Sequence, residues 1–394
     1  MPLQTPGPFA AHARGRDMIV DTTGLPAAFE RSFPVWGGPA ERLRFLLSWA
    51  ILAPSRHNAQ PWTFEIEGDE VRVYADASRA LPAADPDGRE LTMACGAAMV
   101  NLQLAAAHFG HATSVEVLRE HRRDGLLARI RLEERRAFTP ELEELFQAIP
   151  HRRTNRLPLD GREPPDGLVT QLLREARREG VWLRPVEQSQ RRAIAELVAE
   201  GDHRQWDSAR FRAEYAAWSR ANDTTRLDGM PGYASGRSDA AAILHPLLLR
   251  FANPARAEAE RDRQRALGTR ALLVLSTPRD GKEEWIAAGE ALQRVLLRAT
   301  AAGLYASYLN QPIELPELRS RLRDVLGESG VPQIMLRLGY GLQVRPTPRR
   351  PVEEVLRRLE VRSRRPAPLA RREPVVAQPR PATSVEAAVP STVH

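Results

Sequence analysis

Three short stretches of this 394-residue chain bring together residue types that do chemistry. The first is Ala53-Pro54-Ser55-Arg56-His57-Asn58-Ala59-Gln60-Pro61-Trp62, which sets Ser, Asn and Gln beside a rigid Trp. It reads either as a ligand edge, since loops on a scaffold carry function, or as an Asn/Ser helix stop with a Pro-ordered strand entry. The second is Arg152-Arg153-Thr154-Asn155-Arg156, and the third is Arg349-Arg350 beyond Gly339-Tyr340-Gly341. Guanidinium is planar, always charged and bidentate, which suits a dianionic phosphate. A solvated run in an Arg-rich protein is the competing reading. Other patterns fall away. His108 and His111 flank Gly110 without a Cys or acidic ligand pattern, so a zinc site is not indicated. No G-x-G-x-x-G follows a strand and no G-x-S-x-G elbow occurs.

The elements around these stretches follow from periodicity. Arg42 to Leu52 reads as an amphipathic helix ahead of the first stretch. Thr63-Ile66 and Val71-Tyr74 alternate across Gly68-Asp69 as a hairpin. Two Ala-rich helices run from Gly to Gly, Gly96 to Gly110 and Gly289 to Gly303, each closed by a residue that supplies a left-handed cap. Apolar strands follow at Leu126-Leu132 and Gln333-Leu338. A helix from Asp166 to Arg178 leads through Gly180 directly to Val181-Trp182-Leu183-Arg184. Hydrophobic pattern alone therefore gives mixed helix and strand, with a faint internal repeat.

Composition narrows the class. Hydrophobic residues make up 42%, enough for a core, and no run nears the ~18 apolar residues of a membrane span. The N-terminus lacks an apolar signal region. Cys95 is the single cysteine, so no intrachain disulfide forms, consistent with a cytoplasmic location. The net charge of +7 is carried by Arg, Lys282 being the one lysine. Residues 361–394 hold six Arg and two Glu, leaving 51 basic and 48 acidic residues elsewhere. A nearly balanced body without aromatic-basic interleaving is not a nucleic-acid groove. Residues 1–35 read as a loose arm. The Pro-rich basic tail, 359–394, reads as disordered because it buries too little apolar surface to offset ordering entropy.

The Ala53 to Trp62 string resembles the A-P-S-x-x-N-x-Q-P-W signature of the nitroreductase superfamily, flavin enzymes that hold FMN at a dimer interface. The two Gly-to-Gly helices are similar to that family's central helix, present here twice. The resemblance spans roughly residues 40–358, and His151 to Arg156 with Thr347 to Pro351 point to the fused Acg-like branch. It implies an α+β fold of two related halves, a covalent pseudo-dimer with mainly antiparallel sheets wrapped by helices. The halves would be 36–150 and 151–358, the second carrying a lid-like insertion over 201–268 with a turn at Asp228 to Gly232.

By the same resemblance, one FMN is expected per chain. Pro54, Ser55, Arg56 and Asn58 would reach it from the first half. Arg152, Thr154 and Arg156 would grip phosphate and ribityl, and Arg153 either joins them or contacts the ring edge. Tyr305, Ala306 and Ser307 would lie along the ring, and either Arg349 or Arg350 would reach the phosphate. The symmetric second site is expected to be lost, since neither an Arg-Ser-like motif before Ala53 nor a Pro-Ser-x-x-Asn turn after Leu168 exists. The flavin would carry the chemistry, with NAD(P)H as donor and a small nitro or quinone acceptor. A second reading is an FMN-sequestering protein with a lid, and a third a non-catalytic interaction protein using the basic tail. A monomer acting as its own pseudo-dimer, without nucleic-acid or membrane partners, completes the expectation.

Overall fold

The computed structural model describes residues 27–118, 124–133, 139–327 and 329–357. The expected disordered tail lies outside them, as does most of the N-terminal arm.

The first half opens with helix α1 (Pro39–Ala50), started by Pro39 and by Glu41, whose carboxylate accepts the Gly38 N–H at 3.0 Å. Its buried stripe is Leu43, Leu46, Leu47, Trp49 and Ala50. Strands β1 (Trp62–Glu67) and β2 (Glu70–Ala75) pair as the predicted hairpin, with Gly68 at φ 62° in the turn. Helix α2 (Arg89–His108), strands β3 (Thr113–Val117) and β4 (Leu126–Leu132), and helix α3 (Pro140–Ala148) complete it. The antiparallel sheet has the order β1-β2-β4-β3.

The second half repeats this plan. Helix α4 (Leu168–Arg178) precedes β5 (Trp182–Pro185). Helices α5 (Gln188–Asp207), α6 (Ala209–Trp218), α7 (Asp239–Phe251) and α8 (Ala255–Gly268) follow. Then come β6 (Ala271–Thr277), α9 (Lys282–Ala301), β7 (Tyr305–Tyr308), α10 (Pro316–Leu326) and β8 (Val331–Gly339). The sheet order β5-β6-β8-β7, again antiparallel, matches the first sheet strand for strand.

The two central helices cross where the repeat begins. A methyl group on Gly96 would strike the Ile286 carbonyl, and one on Gly289 would strike the Met93 carbonyl. Glycine is required at both places for close backbone approach, and the contact is reciprocal. Gln293 Nε2 donates to Asn101 Oδ1 at 2.6 Å, and Asn101 Nδ2 donates to the Trp49 carbonyl at 3.0 Å. These two amides form a short polar chain in an otherwise apolar seam, with Gln293 Oε1 left without a partner among the described residues.

The end of the second half crosses onto the first: Leu356 bridges Phe64 of β1, and the Arg357 N–H donates to the Phe64 carbonyl at 2.7 Å. The segment that opens the second half stays with its own sheet: Thr154 bridges Ala306 of β7, and the Asp160 N–H donates to the Tyr340 carbonyl at 2.8 Å.

Two expected boundaries shift. The loose arm does not extend to residue 35: Phe29 and Phe33 stack with Phe45, Trp49 and Phe109, which holds this stretch on α1. Residue 201 is not the start of a separable insertion either. It lies inside α5, and α5 and α8 supply Ile194, Val198 and Ala266 to a core with Leu272, Val274 and Met335. These helices cover the outer face of the second sheet, so β8 reads as nearly continuous apolar residues. Only the stretch from α6 through α7 stands outside that core. Among the described residues no helix is long and apolar enough to cross a membrane.

Candidate functional site

Between α1 and β1 the backbone does something costly. His57, Asn58 and Gln60 all have positive φ, at 51°, 53° and 51°. Non-glycine residues pay on the order of 1–3 kcal/mol each there, so the surroundings must over-determine the turn. They do so from both halves. Ser55 Oγ accepts the Gln60 N–H at 2.8 Å. Asn58 Nδ2 donates to the Pro348 carbonyl at 3.0 Å, while its Oδ1 accepts from Arg349 at 2.9 Å. Gln60 Nε2 donates to the Leu227 carbonyl at 2.7 Å, and its Oε1 accepts the Arg350 N–H at 2.8 Å.

This turn forms one wall of a cleft of about 660 Å3. A recess of about 50 Å3 shares Pro54, Ser55, Thr154, Arg156 and Met230 with it. Asn58, Arg152, Arg153 and Arg349 also line the recess. Residues nearly a hundred apart in sequence, and others nearly three hundred apart, thus converge on one cavity.

The electrostatics separate the arginines. Arg56 forms ion pairs with Glu90, at 3.0 Å, and with Glu314, both buried, so its charge is spent on the protein. Arg152 is different. It is 5% exposed, its Nε and NH1 find no acceptor among the described residues, and burial pulls its pKa down to about 10. Arg349 is held by the Leu52, Ala53, Thr347 and Pro348 carbonyls, the Thr347 hydroxyl and Asn58, all neutral acceptors. Burial, then Arg152 and Arg153, lower it to about 9. Arg156 is likewise lowered, first by burial. Arg153 donates to the Pro150 and Arg152 carbonyls at 2.7 and 2.9 Å and is lowered by burial. Desolvated cations such as Arg152 and Arg349, which meet no carboxylate among the described residues, are costly. The recess is therefore a cationic cradle whose charge an anionic ligand would complete.

Three of the anticipated positions do not reach either cavity. Arg350 turns outward to the Gln60 and Glu354 carbonyls and the Glu354 carboxylate, so Arg349 is the member of the pair at the recess. Tyr305 and Ala306 are also outside: the Ala306 carbonyl accepts the Asn155 N–H at 2.9 Å, beside the Thr154 bridge. In β7 it is Ser307 and Tyr308 that line the cleft.

Sequence reasoning missed Tyr308, Glu90, Glu314, Asp202 and Tyr215, all of which line the cleft. Arg152 and Arg156 both act electrostatically on the Tyr308 phenol, whose pKa burial nevertheless raises. The polar string Asn310-Gln311-Pro312 just after β7 is the sequence signal that points to these cleft residues. Asn310 Nδ2 donates to Glu90 at 3.3 Å, and Gln311 Nε2 donates to Asp202 at 3.1 Å and to Asp262 at 2.7 Å. His57 is buried with Nε2 unpartnered and its ring edge-on to Tyr215 at 5.1 Å. Burial, then Arg56 and Arg156, hold its pKa well below the ordinary histidine value, so it is neutral at pH 7.

The stretch from α6 through α7 closes over the turn. Asp228 pairs with Arg79 at 2.5 Å and with Arg220 at 2.9 Å, Arg79 coming from the first half. The Gly229 N–H donates to the Asn58 carbonyl at 3.3 Å, and Tyr233 Oη donates to the Pro346 carbonyl at 2.8 Å.

No protein-family model matches the chain. It is 32% identical over 344 residues to "Putative NAD(P)H nitroreductase Rv3131" of Mycobacterium tuberculosis, covering 86% of this chain and 96% of that relative. It is 30% identical over 315 residues to "Putative NAD(P)H nitroreductase acg" of the same organism, covering 78% and 92%. Among solved structures, a "putative nitroreductase from anabaena variabilis" superposes with a TM-score of 0.43 at 12% identity, covering 86% of this chain and 94% of that one. The FMN-dependent nitroreductase NfnB of Mycobacterium smegmatis, in complex with NADPH, gives 0.36 at 17% identity over 55% and 98%. With near-complete alignment to relatives at this identity, the chain belongs to the nitroreductase family, alongside the Acg protein.

Proposed function

We propose that the cleft holds one FMN per chain and that the protein passes hydride from NAD(P)H to small nitro or quinone acceptors. The observation that carries this reading is the recess lined by Arg152, Arg156 and Arg349, in which the buried Arg152 and Arg349 meet no carboxylate among the described residues. A phosphate dianion is the ligand chemistry that such a recess fits. Arg152, Arg156 and Arg349 would hold the phosphate, helped by the Thr154 and Ser55 hydroxyls. Arg153 would hold the adjoining chain, and Asn58 would keep the turn and Arg349 in place. Ser307 and Tyr308 would line the ring side of the cleft. When bound, FMN supplies two-electron hydride chemistry, so the protein needs only to bind, orient and exclude water. The names of the relatives, NAD(P)H nitroreductases, agree with this donor. The two halves would act as an internal pseudo-dimer within a monomer. Anaerobic NADPH should bleach the flavin absorbance and a nitroaromatic should restore it. Absence of bleaching with both NADPH and NADH would overturn the turnover reading.

The Asp228 clamp favours a second reading, in which the chain stores FMN with little turnover. Asp228→Asn separates the two. A storage protein should gain nicotinamide reactivity when the clamp is cut, whereas an enzyme already open to NAD(P)H should change little.

A further inference from the structure

Helix α7 carries an apolar face that no part of the described chain covers. Ile243, Leu244, Leu247, Leu248 and Phe251 are 61%, 51%, 53%, 55% and 83% exposed. At about 100° per residue these five fall within about 140° of arc, with Ile243 at one edge and Leu248 at the other. The next sector, about 140° to 240°, holds Leu248, His245 and Leu249, which line the cleft. Leu248 belongs to both. The exposed apolar surface is therefore the outward continuation of the cleft wall, over its rim.

We propose that the acceptor reduced in this cleft carries a hydrocarbon tail, which leaves past Leu248 and lies along Ile243, Leu244, Leu247 and Phe251. The inference deepens the proposed function and rests on it for the identity of the head group. Three observations favour a tailed small molecule. The apolar surface joins the cavity without a break at Leu248. The face from Ile243 to Phe251 is about 12 Å long at about 1.5 Å per residue, roughly the length of a ten-carbon chain. The face is also small: five side chains fall far short of the ~20–30 residues a side of a stable protein interface. Contiguous exposed apolar patches of this kind mark binding surfaces rather than ordinary scatter. Burial of each methylene contributes about 0.8 kcal/mol when complete, so even partial cover of a tail is a large effect.

The test uses two redox-inert dimethoxybenzenes, one bare and one bearing a decyl tail, below the tail's micelle concentration. Calorimetry measures both against the flavin-loaded protein and against L244Q/L247Q/F251Q, whose three positions are exposed, lie outside the cleft lining and accept a good helix former. The decyl compound should bind the wild-type protein at least tenfold more tightly than the bare one. The advantage should fall below threefold in the variant, with the bare compound unchanged and the melting curve retained. Equal affinities in the wild type, or an advantage that survives the triple substitution, would overturn the proposal. So would a wild-type dimer that the variant converts to monomer, or binding of the face to phospholipid vesicles without any tail preference in the cleft. Failure of the proposed function reads out separately, as an absence of flavin bleaching by NAD(P)H.

Discussion

The two halves share one strand order and one central helix, yet they treat buried charge in opposite ways. In the first half, α1 and β1 are joined by the strained Ser55 to Gln60 turn, and the arginines gathered at it, Arg152 and Arg349, meet no carboxylate among the described residues. In the second half, Glu179-Gly180-Val181 joins α4 to β5 with no such turn. Nearby, Glu179 pairs with Arg294, and Arg298 pairs with Glu175 at 3.0 Å and with Glu144. The same scaffold thus holds a charge-complete joint on one side and a charge-incomplete recess on the other. A protein retains an incomplete cluster at a cost in stability, so the incomplete one marks the site.

That contrast can be broken by mutation. Arg298→Ala leaves the buried Glu175 with only the longer Arg178 contact at 3.6 Å and should destabilise the fold by about 3 kcal/mol, visible as a lower urea midpoint, with no direct contact to the cleft. Arg152→Gln should do the reverse. Removing an unpaired buried cation should hold or raise the melting temperature of the flavin-free protein. FMN affinity should fall on the order of a hundredfold, about 2–3 kcal/mol, by fluorescence titration. If Arg152→Gln destabilised the flavin-free fold as strongly as Arg298→Ala, the distinction between the two joints would be lost.

Equivalence of the halves is sharpened by the glycines at the helix crossing. Gly96→Ala and Gly289→Ala each push a methyl onto a carbonyl of the opposite helix, and each should cost about 1–3 kcal/mol. Costs differing by more than about that range would argue against a reciprocal crossing. The smallest effect belongs to the clamp. Burial alone would raise the Asp228 pKa, but hydrogen bonds from Arg220 and Arg79 outweigh it and hold the carboxyl below its ordinary value. A depressed carboxyl stabilises the folded state above the unfolded pKa, and that contribution drains as pH falls through the depressed folded value. Asp228→Asn should therefore cost about 1 kcal/mol at pH 7 and progressively less in acid. Hydrogen exchange of the α6–α7 stretch against pH reads this directly.

Much of this architecture was legible in the sequence because it rests on local rules. Alternation gave β1 and β2, and Gly at both ends of the Ala-rich stretches gave the repeat that the strand order confirms. The complementary loss of half-motifs pointed to one site. What escaped notice depends on direction and distance. Arg56 looks like Arg152 in the sequence, and only the fold brings Glu90 and Glu314 to it. Arg349 and Arg350 are adjacent, and an extended segment sends them opposite ways. In β7 the cleft is reached at the far end of the strand, by Ser307 and Tyr308, and not at Tyr305. Phe29 and Phe33 lack periodicity of their own, since their partners Phe45 on α1 and Phe109 just past the end of α2 are far apart in sequence.

Equilibrium titration of the flavin-free protein with FMN and, in parallel, with riboflavin bears most directly on the claim that uncompensated arginines from the second half and the strained turn of the first build a phosphate site. FMN should saturate at one molecule per chain and bind at least a hundredfold more tightly than riboflavin, which lacks the phosphate. Equal affinity for the two flavins, or saturation at two per chain, would contradict it.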